Sequence, residues 1–224
     1  QVAIALMLAS ESGLRNREIG ELLARAKGIE IVTLSDALYR EITGISSPTG
    51  IAAVIGIPPA TDEPPHGDAV LLEGVQDAGN VGAILRTAAA AGIGHVLLGP
   101  GCAGAWGLKV LRAAQGAHFS LTIREQVDLA AALGASGVTS IATVARGGIE
   151  PWNIDLSGPT FWLLGNEGGG LSAPLTAAAD LRATIPLAVA TESLNVAAAA
   201  AICLFEARRQ RVKAREPARG GLSG

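Results

Sequence analysis

Apolar and polar positions follow two rhythms along this chain. Residues 4–9 form an apolar run that periodicity leaves open between strand and helix. Across 18–27, Ile19, Leu22, Leu23 and Ala26 recur at helical spacing, and Gly28 supplies a stop. Residues 29–34 alternate as a strand, and Ser35 can cap a short helix running to about Glu41. After a turn over 46–50, residues 51–57 predict another strand. Residues 1–57 therefore read as a small α/β unit. It is short for an independent domain, which leaves room for a missing amino-terminal part. The next stretch, 58–67, contains Pro58, Pro59, Pro64 and Pro65. These stiffen the chain and keep it out of helix and sheet, so 58–67 reads as a linker.

From residue 68 a second unit follows, and strand, loop and helix repeat. The pattern predicts a strand over 69–75, a turn over 76–80 and a helix over 81–91 ended by Gly92. A strand follows at 95–98 and a short helix at 109–116. Further along come a strand at 119–123, a helix at 127–133, and strands at 139–144 and 161–164. The chain closes with a helix at 173–179, a strand at 181–185 and a long helix from 194 to about 210. This alternation implies a mostly parallel sheet covered on both faces, an α/β fold.

Composition narrows the picture. Of 224 residues, 49% are hydrophobic and 17% charged, which excludes a disordered chain. Aromatics are only 3%, so Ala, Val, Leu and Ile must build the core. The net charge of −3 argues against general nucleic-acid adhesion while leaving room for a local basic patch. The basic tail, 208–219, reads either as favourable charge at a helix C-terminus or as a phosphate contact. Cys102 and Cys203 have neither disulfide nor metal-ligand spacing, so no metal is expected and a reducing cytoplasm is the default. Glycines break up the uncharged stretch 87–108, and the opening residues lack the basic segment of a secretory signal. The chain reads as soluble, with no membrane partner.

Three loops carry the candidate chemistry, each at the carboxyl end of a predicted strand, where open α/β sheets bind ligands. The first contains Asn80, readable as a helix N-cap or as part of an anion site, with Arg86 between one and two turns further on. The second is 161–172, where an apolar run empties into Gly165, Asn166, Glu167 and three glycines. The third runs from Ile185, Pro186 and Leu187 to Ser193, Leu194 and Asn195. Ser193 reads as the N-cap of the long helix, whereas Asn195 inside a helix would gain nothing locally. Together these groups suit an adenosine-like ligand. A dinucleotide fingerprint is absent, because Leu97 stands where a third glycine would follow Gly92 and Gly94. None of the loops contains His.

The stretches 80–88, 164–172 and 185–197, in that order, resemble the three motifs of the SpoU (TrmH-type) RNA methyltransferases of the SPOUT superfamily. The likeness runs from about 68 to 210. It implies a trefoil-knotted methyltransferase domain over 68–224, preceded by a small RNA substrate-binding domain over 1–57. It also implies S-adenosylmethionine as cofactor, a homodimer, and methylation of a ribose 2′-hydroxyl in RNA, with rRNA ahead of tRNA. Gly165, Ile185 and Leu194 match cofactor-contacting positions, with Leu164, Asn166, Pro186 and Leu187 as neighbours. Asn80, Arg86, Glu167, Ser193 and Asn195 match the polar positions of the reaction centre. Many family members have Ser-Pro before the residue matching Lys109; here it is Gly107-Leu108. A second reading keeps the fold but not the catalysis, as an RNA-binding or ribosome-assembly module.

Overall fold

The computed structural model describes residues 3–59, 63–188 and 193–215. It divides into two compact units, Gln1–Pro59 and Ala60–Gly224. Residues 60–62 of the proline-rich stretch, 189–192 of the third loop and the tail from 216 lie outside the described residues.

In the first unit the ambiguous opening run is a strand, β1 (Ile4–Ser10). It is followed by α1 (Arg17–Arg25), β2 (Glu30–Leu34), α2 (Asp36–Thr43) and β3 (Ile51–Ile55). The sheet order is β2-β1-β3, with β2 parallel and β3 antiparallel to β1. Ser35 caps α2 by accepting from the Leu38 amide. Met7, Ala9, Ile19 and Leu23 make a small core.

The second unit contains β4 (Ala69–Glu73), α3 (Ala78–Ala91), β5 (His95–Leu98), α4 (Leu108–Ala114) and β6 (Thr122–Arg124). It continues with α5 (Leu129–Ser136), β7 (Thr139–Thr143), β8 (Thr160–Gly165), α6 (Ala173–Ala178), β9 (Leu181–Ala183) and α7 (Val196–Arg215). Six strands lie in the order β6-β5-β4-β8-β7-β9, and every pairing is parallel. Side-chain alternation sends Val70, Leu72, Val96, Trp162 and Leu164 into one core with α3, α4 and α7. The alternate residues Ala69, Leu71, Leu97, Phe161 and Leu163 meet Leu129 of α5 and Leu175 of α6 on the other face.

Two details position the site. A Cβ on Gly82 would lie 2.4 Å from the Ala113 Cβ and 2.7 Å from the Val110 carbonyl oxygen, so only glycine lets α3 and α4 approach this closely. Asp180, just before β9, accepts from the Ser140 amide at 2.8 Å and hydroxyl at 2.7 Å and so fastens β9 beside β7. Those two bonds, the amide's first, hold the Asp180 carboxyl below its ordinary range. A carboxyl depressed by folding stabilises the fold above its unfolded pKa, near 3.8, and that contribution is lost as pH falls through the lower folded value. Asp180→Asn is therefore expected to lower the melting temperature at pH 7. In melts recorded down the pH scale, the gap from wild type should close in strongly acid solution.

Several elements depart from the sequence pattern. The stretch 119–123 is not one strand: a 3-10 turn (Ala117–Ser120) precedes β6. Strand β9 stops at Ala183, so Ile185 lies on the connection that follows. Helix α3 starts at Ala78, three residues early, because Asp77 caps it by accepting from the Asn80 amide. An anionic cap also meets the positive helix end, which favours Asp77 over Asn80. Arg86 consequently sits more than two turns into the helix. The long helix starts at Val196, and Asn195 is its cap: its Oδ1 accepts from the Ala197 and Ala198 amides at 2.9 and 3.2 Å. Ser193 therefore does not cap it.

Candidate active site

All strands of the second sheet are parallel, so the loops after β4, β8 and β9 leave from the same edge. The chain departs from β4 toward β5 on one side and from β8 toward β9 on the other. Their carboxyl ends form the topological switch point where open α/β sheets hold ligands. At that point the first and second loops meet.

The second loop is built around Asn166. Its Nδ2 donates to the Gly74 carbonyl at 2.8 Å, and its Oδ1 accepts from the Gly168 and Gly169 amides at 2.7 and 3.3 Å. The Gly170 amide donates to the Asn166 carbonyl at 2.8 Å and closes the turn. Asn166 is thus a turn-builder whose side-chain oxygen is fully engaged by the turn and whose nitrogen ties the turn to the loop after β4. Gly165 is required for a related reason. A Cβ there would lie 2.2 Å from the Gly170 carbonyl carbon, so the space beside it is filled by the turn's own backbone. Gly165 still lines the cavity with its backbone, and its lack of a side chain is what lets the turn close against it.

Freed from capping, the Asn80 side chain reaches across. Its Nδ2 donates to Glu167 Oε1, and its Oδ1 accepts from Asn195 Nδ2 at 2.9 Å. One hydrogen-bonded line thereby joins the starts of α3 and α7 to the glycine turn.

Beside this line is a cavity of about 540 Å3. Leu164, Gly165, Asn166, Glu167, Ile185, Leu187, Ser193 and Leu194 all line it. Pro186 is exposed and off the wall, and so is Arg86, which has no hydrogen bond to the Asn80–Glu167–Asn195 line. Sequence reasoning missed Thr143, Val144 and Ala145, which also line the cavity. They follow β7, and only the strand order, with β7 between β8 and β9, puts their loop at the centre.

The lining has one charged side chain among the described residues, Glu167, and no Lys or Arg. Apolar Leu164, Ile185, Leu187, Leu194 and Val196 and the peptide groups of the turn make up most of the rest. Such a wall suits a heteroaromatic ring carried on a cationic molecule and is poor for the phosphates of a dinucleotide. Neither cysteine is prepared as a nucleophile: burial raises the Cys102 thiol and pushes Cys203 up to about 12. Much of the tail's basic character is engaged within the fold. Arg208 donates to the Ala91 carbonyl, Arg209 pairs with Glu206, and Arg211 pairs with Asp68.

Comparison with known proteins bears on this arrangement. The SpoU rRNA methylase family model matches residues 68–205. The 23S rRNA (guanosine(2553)-2′-O)-methyltransferase RlmP of Bacillus subtilis is 38% identical over 183 residues, covering 81% of this chain and 73% of that protein. The 23S rRNA (uridine(2479)-2′-O)-methyltransferase of Streptomyces viridochromogenes is 31% identical over 207 residues, covering 87% and 72%. Among solved structures, the SpoU methyltransferase AviRb from Streptomyces viridochromogenes in complex with AdoMet has a TM-score of 0.80 at 27% identity, covering 95% of this chain and 85% of that one. A TrmH-family protein from Porphyromonas gingivalis has a TM-score of 0.78 at 31% identity, covering 93% and 84%.

Proposed function

The chain belongs to the SpoU rRNA methylase family, and from that premise we propose how its loops carry out methyl transfer from S-adenosylmethionine to a ribose 2′-hydroxyl. The protein is an S-adenosylmethionine-dependent RNA 2′-O-methyltransferase. The observation that carries the proposal is the Asn80–Glu167–Asn195 line beside a cavity without Lys or Arg among its described residues.

The cofactor, when bound, supplies a methyl group already activated by its sulfonium charge. The residues that would hold it are Leu164, Ile185, Leu187 and Leu194 around the adenine, and the peptide groups of 165–171 along the sugar. Val144 and Ala145 close the wall on the β7 side. Glu167 is the one carboxylate on the described wall and takes the hydroxyl proton as the oxygen attacks. A guanidinium stays protonated and cannot serve as that base. Arg86 instead binds the phosphate beside the target ribose and orients the hydroxyl. Ser193, at the cavity rim, hydrogen-bonds the ribose or the cofactor's polar end.

Arg86→Lys is expected to lower kcat/KM about 100-fold, with S-adenosylmethionine affinity unchanged, because Arg86 is off the cavity wall. Steady-state kinetics beside calorimetry separate the two. Wild-type rates would remove any special role for the guanidinium.

Ribosomal RNA is the proposed substrate, since the relatives named above act on 23S rRNA. We assign residues 1–57 to RNA recognition; matches to those relatives run beyond the second unit into this one. No helix among the described residues is long and apolar enough to cross a membrane; the cytoplasm is the proposed location, on the ground of the proposed rRNA substrate. The family's trefoil knot is proposed for residues 139–215. Its support is that the connection 144–159 is bonded near its start to β9, through Ile149, and to Thr184 just after it, through Gly148, and near its end to Gln210 and Arg211 of α7.

A homodimer is proposed through α7. Ile202, Phe205 and Val212 share one helical face and are 38%, 46% and 49% exposed. Phe205→Glu is expected to convert a dimer to a monomer in sedimentation velocity; an unchanged mass would move the interface elsewhere.

The proposed function is tested with methyl-labelled S-adenosylmethionine and separated rRNA and tRNA pools. Label in rRNA is expected. A protein that binds the cofactor yet labels neither pool is the non-catalytic RNA-binding module instead.

A further inference from the structure

The polarity of the Asn80–Glu167–Asn195 line is forced from one end. The amides of Ala197 and Ala198 can only donate, so the Asn195 atom facing them is the oxygen. Its Nδ2 therefore faces Asn80, and an amide nitrogen can only donate. Asn80 must turn its oxygen to Asn195, which leaves its own Nδ2 for Glu167. The backbone beneath Asn80 is held as well, because its amide donates to Asp77 Oδ1 at 2.8 Å. A terminal amide rotates freely between two orientations; here the first turn of α7 selects one.

We propose that Asn195 is a positioning residue: as the cap of α7 it dictates the orientation of the Asn80 amide, and through it presents Glu167 with a donor that fixes the carboxylate at the reaction centre. The Asn80 bond falls on Glu167 Oε1, and Oε2, which accepts no hydrogen bond from the described residues, is the oxygen better placed to receive the ribose proton. The line also couples the seating of α7 to the chemistry. A first turn that unwinds withdraws the amides that set the polarity, and Asn80 becomes free to turn its carbonyl toward the carboxylate. This inference rests on the reading of Glu167 as the base.

Asn195→Asp isolates the effect. The new carboxylate still accepts from the Ala197 and Ala198 amides, so the cap is preserved and the helix end gains a favourable charge. It has no donor for Asn80, whose amide then turns its nitrogen toward residue 195 and its oxygen toward Glu167. Methyl transfer by the full chain to rRNA is measured for wild type, Asn195→Asp, Glu167→Gln and the double variant, with melting curves for each. Asn195→Asp is expected to melt at or above the wild-type temperature and to lose about 10- to 100-fold in kcat, with KM for RNA unchanged. The double variant is expected to be no slower than Glu167→Gln alone, because Asn195 acts only through that carboxylate. Wild-type kcat in Asn195→Asp, with Glu167→Gln impaired, overturns the positioning role and leaves the base assignment standing. Multiplying losses in the double variant overturn the route through Asn80. Full activity in Glu167→Gln overturns the base assignment itself, and the inference with it.

Discussion

Gly165→Ala is expected to weaken cofactor binding by about 10- to 100-fold while leaving the protein folded. Strand β8 ends at Gly165, and the turn that follows doubles back until the Gly170–Leu171 peptide lies against it. A Cβ there would sit 2.2 Å from the Gly170 carbonyl carbon, 2.3 Å from the Leu171 nitrogen and 2.4 Å from the Gly170 oxygen. All three are backbone atoms, so no side-chain rotation relieves the overlap. Relief requires opening the Asn166–Gly170 bridge, which moves the peptide groups that form the cavity wall and carries Glu167 away from Asn80. Overpacking of this kind costs about 1–3 kcal/mol or more. Since the displaced groups are the wall itself, S-adenosylmethionine affinity should fall by about 10- to 100-fold. Calorimetry measures this, and circular dichroism checks the fold. Wild-type affinity in Gly165→Ala would mean that the turn does not line the cofactor site. By contrast, a Cβ at Gly134, in α5 and off the cavity wall, meets nothing within 4 Å, so Gly134→Ala serves as a control with near-native affinity.

Arg211→Ala carries the largest expected loss of stability. The guanidinium bonds both carboxylate oxygens of Asp68, at 2.5 and 2.8 Å. It also reaches the Leu156 and Gly158 carbonyls at 2.9 and 2.8 Å and the Thr160 hydroxyl at 3.2 Å. One side chain therefore ties α7 to the start of β4, to the 154–158 connection and to the start of β8. Both partners are only 18% exposed. Removing the arginine leaves a carboxylate and two carbonyls poorly solvated, which costs about 3 kcal/mol. For a chain of this size that corresponds to a melting temperature lower by roughly 6–12 °C. Arg211→Lys should recover only part of the loss, since an ammonium cannot span the same fan of acceptors. A shift of a degree or two for Arg211→Ala would show that the pair is solvent-screened.

How far the sequence revealed this molecule depends on whether a feature is local. Strands β4, β5 and β8 were legible because unbroken apolar runs mark strands buried on both faces. The end of α3 was legible in Gly92, which adopts φ +83° as the left-handed cap. The helix starts were less so. Asp77 and Asn80, three residues apart, are both competent caps, as are Ser193 and Asn195, two apart, and the winner is decided by where the first amides point. That decision changed the chemistry: Asn80, relieved of capping, became the bridge to Glu167, while Asn195 combined capping with bridging. The contribution of Thr143, Val144 and Ala145 was illegible, because nothing local reveals that β7 lies between β8 and β9. Gly165 was legible as a special position, but its crowding was not, since that comes from residues that the turn itself brings back.

The central claim, that this site directs a methyl group to a ribose oxygen, is tested most directly by the atom that receives it. RNA labelled by the enzyme is hydrolysed in alkali, which cleaves the chain wherever a free 2′-hydroxyl can attack its phosphate. Label recovered in alkali-resistant dinucleotides is the predicted result. Label recovered in mononucleotides would place the methyl on a base and contradict the account.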